Sequence, residues 1–130
     1  MVSYPSVDEI IELNLLALTV IKVKKADSQK VLSKSKLHEI VEGCKNREGD
    51  IFDKAVVLLK GIVQKHAFAS GNRRTALVVT KHFLTTNGHK LNIPGNPANA
   101  RVMTGIREHY YTDAEIKGWI QHGKIKEFKR

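Results

Sequence analysis

Hydrophobic residues recur through most of the chain at the three- and four-residue spacing of an amphipathic α-helix. The clearest case lies between residues 51 and 63, where one helical face would carry Ile51, Phe52, Ala55, Val56, Leu58, Leu59, Ile62 and Val63. Residues 72–87 are apolar on nearly all sides, a pattern typical of a helix that other helices surround. Asn87 and Gly88 predict the C-terminal end of this helix.

Two capping boxes predict where the first and last helices begin. Ser6 is followed by Glu9, and Thr112 by Glu115, so each hydroxyl can accept a first-turn N–H group while the glutamate reaches back to the cap. The first helix is expected to cover residues 7–24. The last helix is expected to bury three apolar side chains and to end at a glycine, at positions Ile116, Trp119, Ile120 and Gly123.

Weaker signals complete the fold prediction. Asn96 and Pro97 are typical of the N-cap and the first residue of a helix. The inward residues of that helix are expected to be Val102, Met103, Ile106 and Tyr110. A short helix is expected at residues 37–44, and the only strand candidates are residues 30–32 and 90–93. Together the signals predict an all-α bundle in which the uniformly apolar helix is central.

Length and composition support one folded domain over residues 1–130. The chain is 42% hydrophobic and 27% charged, which is enough apolar surface for a core. A single cysteine, Cys44, excludes an internal disulfide, so a cytoplasmic location is expected. The apolar stretch at residues 10–21 is too short to cross a membrane, and Asp8 and Glu9 precede it, so neither a span nor a signal peptide is predicted.

The charge balance favours an acidic partner. Lys and Arg number 22 against 13 Asp and Glu, a net charge of +9, which suits nucleic acid, nucleotide phosphates, an anionic surface or an acidic protein. Six lysines between residues 22 and 36 indicate a solvated connection or short flap. A nucleic-acid-binding module is a minor alternative, because the chain has no recognisable helix-turn-helix glycine turn or aromatic stacking surface.

The residues with the clearest chemistry lie between the two best-defined helices, at residues 66–76. A Gly-Asn turn at residues 71–72 begins a helix, whose unpaired N–H groups form an anion site at the positive end of the helix dipole. Arg73 and Arg74 add two permanent charges suited to phosphate oxygens. His66 is near enough in sequence to face them and to act as a general base. A structural histidine and a solvated arginine pair are the alternative, but the combination favours a phosphate site.

This loop resembles the signature of the Fic/Doc family, His-x-Phe-x-(Asp/Glu)-Gly-Asn-x-Arg. Its sequence is His66-Ala67-Phe68-Ala69-Ser70-Gly71-Asn72-Arg73-Arg74. The continuation to Thr75-Ala76 and the segments at residues 53–63 and 83–88 are most similar to the Doc (death on curing) toxin branch. The resemblance implies a single-domain Fic/Doc-type helical fold. It also implies a catalytic base, a loop anchor, an anion nest and a phosphate-binding arginine, at His66, Phe68, Gly71 with Asn72, and Arg74 respectively.

Three positions distinguish this chain within the family. Arg73 stands where AMP-transferring members carry glycine and Doc carries lysine, so the resemblance implies transfer of the γ-phosphate. Ser70 stands where the family has an acidic Mg²⁺ ligand, so metal binding should be weakened and the rate lowered, plausibly by several powers of ten. Leu77 replaces a further arginine of the longer Fic signature, which again suits the Doc branch.

The resemblance therefore implies the toxin of a toxin–antitoxin pair. Such a toxin would transfer phosphate from ATP or another nucleoside triphosphate to a hydroxyl of a cytosolic protein, such as translation elongation factor Tu or its counterpart. A small antitoxin is the expected partner, and residues 22–36 are expected to dock the target. The alternative is a catalytically impaired Fic-fold protein, marked by Ser70, that binds nucleotide or a protein. AMP transfer is the second alternative, and no membrane partner is expected.

Other candidate residues are assigned no chemistry. Lys45 and Arg47 are positive neighbours that favour a lower thiol pKa for Cys44, but a lone cysteine outside any motif is more often inert. The helix around His38 lacks the second histidine of a zinc-protease motif, and the remaining histidines have no ligand spacing. Trp119 is expected in the core rather than on a base-stacking surface.

Overall fold

The computed structural model describes residues 1–20 and 29–129, and in these ranges it consists of helices and connecting loops without a β-strand. The helices are α1 Val7–Val20, α2 Lys34–Asn46, α3 Ile51–Lys65, α4 Asn72–Thr86, α5 Asn99–Arg107 and α6 Asp113–His122. The all-α prediction is confirmed for this part of the chain. Within the same residues, no helix is long and apolar enough to cross a membrane.

Helix α3 organises the packing. It contacts α2, α4, α5 and α6, and α1 packs on α4 and on α2. The predicted apolar stripe of α3 is buried, through Ala55, Val56, Leu58, Leu59, Ile62 and Val63. Helix α4 lies between α1 and α3 but exposes Lys81 and His82, so it shares the predicted central position with α3. The two helices that bracket the loop at residues 66–71 are therefore both part of the core.

The helix ends follow the predicted local chemistry. The capping boxes at Ser6 and Thr112 are present, with Ser6 Oγ accepting the Glu9 N–H at 3.1 Å and Thr112 Oγ1 accepting the Glu115 N–H at 3.2 Å. Gly123 ends α6 in the left-handed conformation, with φ of 75°. These ends depend on residues three or four positions apart, which is why sequence patterns locate them well.

The start of α5 is a correction. Asn96 does cap a turn, because its Oδ1 accepts the Ala98 N–H at 2.9 Å. That turn closes through a bond between residues three apart, from the Asn99 N–H to the Asn96 carbonyl at 3.0 Å. This tighter turn delays the α-helical pattern, so α5 begins at Asn99 and not at Pro97.

The predicted strand candidates form no strand in the described residues. Residues 30–32 make a single antiparallel bridge to the loop after α3, in which the Leu32 N–H donates to the Ala67 carbonyl at 2.7 Å and the Ala69 N–H donates to the Lys30 carbonyl at 3.0 Å. The part of the predicted first helix beyond Val20 lies outside the described residues, and so do residues 22–28 of the predicted flap. The bridge joins the loop to the segment that precedes α2.

Candidate functional site

The loop between α3 and α4 reverses the chain through two left-handed residues. His66 ends α3 with φ of 50° and ψ of 54°, and Gly71 precedes α4 with φ of 76°. A side chain at position 71 would be strained by this φ and would also place its Cβ 2.9 Å from Leu18 Cδ2. Glycine is therefore required at this position for the loop to pack against α1.

Asn72 holds the loop in shape from the first turn of α4. Its side chain is buried, and its Oδ1 accepts the Phe68 N–H at 3.2 Å while its Nδ2 donates to the Phe68 carbonyl at 2.8 Å. Phe68 itself is fully buried, in the position predicted for a loop anchor. The amide thus replaces the backbone partners that Phe68 lacks in this irregular segment.

The same amide orients His66. Asn72 Nδ2 lies 3.2 Å from His66 Nδ1, and because an amide nitrogen only donates, Nδ1 accepts. The neutral imidazole then carries its proton on Nε2, which makes Nε2 a donor. To accept a substrate proton on Nε2, His66 must first move its own proton to Nδ1 and give up the contact with Asn72, at a cost of about 1 kcal/mol. This cost is small beside a catalytic barrier.

Asn14 supports the loop from α1 and was not identified as a site residue from the sequence. Its side chain is fully buried, and its Nδ2 donates to the Ser70 carbonyl at 3.1 Å and to Thr75 Oγ1 at 2.9 Å. The sequence does contain a signal for it, since Asn14 lies four residues from Ile10 and from Leu18 on the apolar face of α1. A buried amide on such a face needs partners, and the loop provides them.

The predicted site residues line one open cavity of about 430 Å³. Its lining consists of Val63, His66, Ala69, Ser70, Gly71, Asn72, Arg73, Arg74 and Arg107. The structure thus brings together His66, both arginines of the motif and the N-terminus of α4. Phe68 lies behind the loop in the core instead.

Arg107 is a cavity residue that the sequence analysis missed. It is the last residue of α5 and lines the cavity together with Arg73 and Arg74 of α4. Burial, and secondarily the charge of Arg107, lower the pKa of Arg73 from its ordinary value. No local pattern marks Arg107, because its relation to the motif arises only when α5 packs on α3.

The cavity does not fit a magnesium ion. Mg²⁺ is usually held through one or two carboxylates in addition to substrate phosphates, and the lining residues that the structure describes include neither Asp nor Glu. Ser70 occupies the position at which the sequence analysis expected the acid. Over the described part of the chain, no group of three or more His, Cys, Asp or Glu residues is placed to hold a metal. The polar lining groups are instead mostly hydrogen-bond donors.

Cys44 and Trp119, to which the sequence assigned no chemistry, lie outside the cavity. Burial raises the pKa of the Cys44 thiol to about 11, so the lowering favoured by its neighbours in sequence is wrong, and the side chain is fully buried. Trp119 is buried in the core, as predicted. Neither residue takes part in the site.

Comparison with known proteins was consistent with this geometry. The model of the Fic/DOC family matches residues 19–84, just over half of the chain, and this range includes the whole loop and most of α4. A comparison with curated proteins gave no match. The matched range, together with the all-helical fold, shows that the chain belongs to the Fic/DOC family.

Proposed function

We propose that this protein is a Doc-like phosphotransferase, which moves the γ-phosphate of a nucleoside triphosphate to a hydroxyl of a cytosolic protein. The single observation that carries the proposal is the convergence of His66, Arg73 and Arg74 on one cavity at the N-terminus of α4. Backbone N–H groups and the helix dipole favour phosphate there. The proposal places the protein in the cytoplasm.

The proposed chemistry assigns one task to each group. The target oxygen attacks the γ-phosphorus, the bond to the oxygen that bridges the β- and γ-phosphorus atoms breaks, and a nucleoside diphosphate leaves. His66 takes the proton of the target hydroxyl on Nε2, after the change of tautomer described above. Arg74 and Arg73 bind the phosphate oxygens and balance the charge that moves to the leaving group.

The wider role is that of a toxin with a small antitoxin partner, as the resemblance to the Doc branch implies. The proposed target is translation elongation factor Tu or its counterpart. The segment before α2 is the proposed docking region, and its described part supports this placement, since residues 30–32 pair directly with the loop and expose Lys30 and Leu32. A docked chain would therefore lie next to the cavity.

The proposal is tested by following label from ATP into purified elongation factor. With ATP labelled in the γ-phosphate, the protein should label the factor, and with ATP labelled in the α-phosphate it should not. Intact-mass measurement of the factor should show the addition of one phosphate. Label from the α-phosphate would establish AMP transfer instead, and no label from either nucleotide would refute transfer to this target.

A second candidate function is supported by the lack of carboxylates among the described residues of the cavity lining. Without an acidic Mg²⁺ ligand, the protein would bind a nucleotide or a protein partner without efficient catalysis. Loss of metal assistance would raise the barrier to transfer by several kcal/mol. This is more than the roughly 1 kcal/mol needed to change the His66 tautomer. The absent carboxylate is therefore the main physical argument for impairment.

Replacement of Ser70 with aspartate separates the two candidates. If the native protein is impaired, Ser70→Asp is expected to increase Mg²⁺-dependent transfer by at least about tenfold, because the carboxylate restores a metal ligand. The measurement is the rate of label transfer at several Mg²⁺ concentrations, with Ser70→Asn as a control of similar size without charge. A native rate equal to that of Ser70→Asp would contradict impairment.

A further inference from the structure

Three arginine side chains from two helices line the same cavity. Arg73 and Arg74 belong to the first turn of α4, and Arg107 ends α5. Arg107 is about half exposed and lies 4.0 Å from Glu108, a separation at which an exposed ion pair contributes little. Its charge therefore remains largely available to a bound anion.

Arg73 and Arg107 repel each other across the cavity that they both line. Both side chains line the same cavity, and the charge of Arg107 adds to burial in lowering the pKa of Arg73. Of the residues that the structure describes, none of those that line the cavity is acidic. A polyanion relieves this repulsion, and it also uses the fork geometry of each guanidinium.

We propose that Arg107 completes a binding site for the polyphosphate chain of a nucleotide, and that this site binds the chain without a divalent metal. The inference rests on the part of the proposed function that concerns nucleotide binding. It adds Arg107 to the residues that bind the phosphates, and it states that binding does not require a metal. The guanidinium groups neutralise the phosphate charge that Mg²⁺ neutralises in other nucleotide sites. A bound divalent ion would reduce the charge that the three arginines recognise.

The test is calorimetric titration of the full chain with ATP and with inorganic tripolyphosphate, each in the presence of Mg²⁺ and in the presence of EDTA. Two variants change the net charge equally. Arg107→Gln removes the proposed phosphate ligand, whereas Lys81→Gln removes an exposed cation of α4 that does not line the cavity. Thermal unfolding of both variants without ligand establishes that they fold.

Both anions are expected to bind in EDTA at least as tightly as in Mg²⁺. Arg107→Gln should weaken ATP and tripolyphosphate by about tenfold to a hundredfold, the usual range for a charge-assisted hydrogen bond, while Lys81→Gln should change either affinity less than about threefold. Binding that requires Mg²⁺, or equal effects of the two variants, would overturn the inference.

The outcome is separable from that of the proposed function. Binding is measured without a protein substrate, so a protein that binds ATP in EDTA and transfers no label supports the inference and refutes the transfer. A protein that transfers label only with Mg²⁺ and does not bind ATP in EDTA would support the transfer and refute the inference.

Discussion

Replacement of His66 with alanine is expected to lower the rate of phosphate transfer by about a hundredfold to ten-thousandfold, the range typical for loss of a positioned general base. The imidazole is held by Asn72 at the edge of the cavity that contains the arginines. Without it, the target hydroxyl has to lose its proton to water. The nucleotide affinity should change much less, because the three arginines remain.

The measurement is the initial rate of label transfer from γ-labelled ATP, with binding of ATP measured on the same preparations. His82→Ala is the matched control, since His82 is an exposed histidine of α4 whose Nε2 lies 3.7 Å from Glu9 Oε2, and it lies outside the cavity. This control should keep the native rate. A His66→Ala protein with at least half of the native rate would rule out His66 as the base.

Replacement of Asn72 with alanine is expected to lower the free energy of unfolding by about 2–4 kcal/mol. The Phe68 N–H and carbonyl groups are buried and would both lose their side-chain partner, and each unsatisfied buried group costs about 1–3 kcal/mol. The loop would also lose the contact that orients His66. Transfer and ATP binding should therefore fall together.

Urea unfolding followed by circular dichroism gives the stability of this variant. Asn96→Ala is the control, because Asn96 is an exposed asparagine with a bond to one backbone N–H group, and its loss should cost about 1 kcal/mol. Equal destabilisation by the two substitutions would show that Asn72 does not hold the loop.

Local patterns account for what the sequence predicted well. The stripe of α3 and the two capping boxes depend on residues three or four positions apart. A short segment therefore contains all of the residues that determine them. The motif from His66 to Arg74 is also local, because the end of one helix and the start of the next bring its members together. Fold class and loop were therefore accessible before the structure.

Long-range contacts account for what the sequence analysis missed. Arg107 joins the cavity only through the packing of α5, and Asn14 reaches the loop only because α1 packs against α4. The start of α5 was misplaced for a different reason, since a capping asparagine does not determine whether the first turn closes over three or four residues. In each case the outcome depends on helix packing or on turn hydrogen bonding that residues nearby in the sequence do not determine.

The bridge between residues 30–32 and the loop would couple the two proposed binding events, of a nucleotide in the cavity and of a protein at residues 30–32. Ala67 and Ala69, which share hydrogen bonds with Leu32 and Lys30, lie in the same short loop as Ser70 and Gly71 of the cavity. A partner that docked on residues 30–32 and moved them would also displace the loop backbone that lines the cavity. By thermodynamic reciprocity, a bound anion then changes the affinity for that partner by the same factor. Three backbone hydrogen bonds, from Leu32 and Ser33 to Ala67 and from Ala69 to Lys30, would thus transmit the coupling between nucleotide and protein.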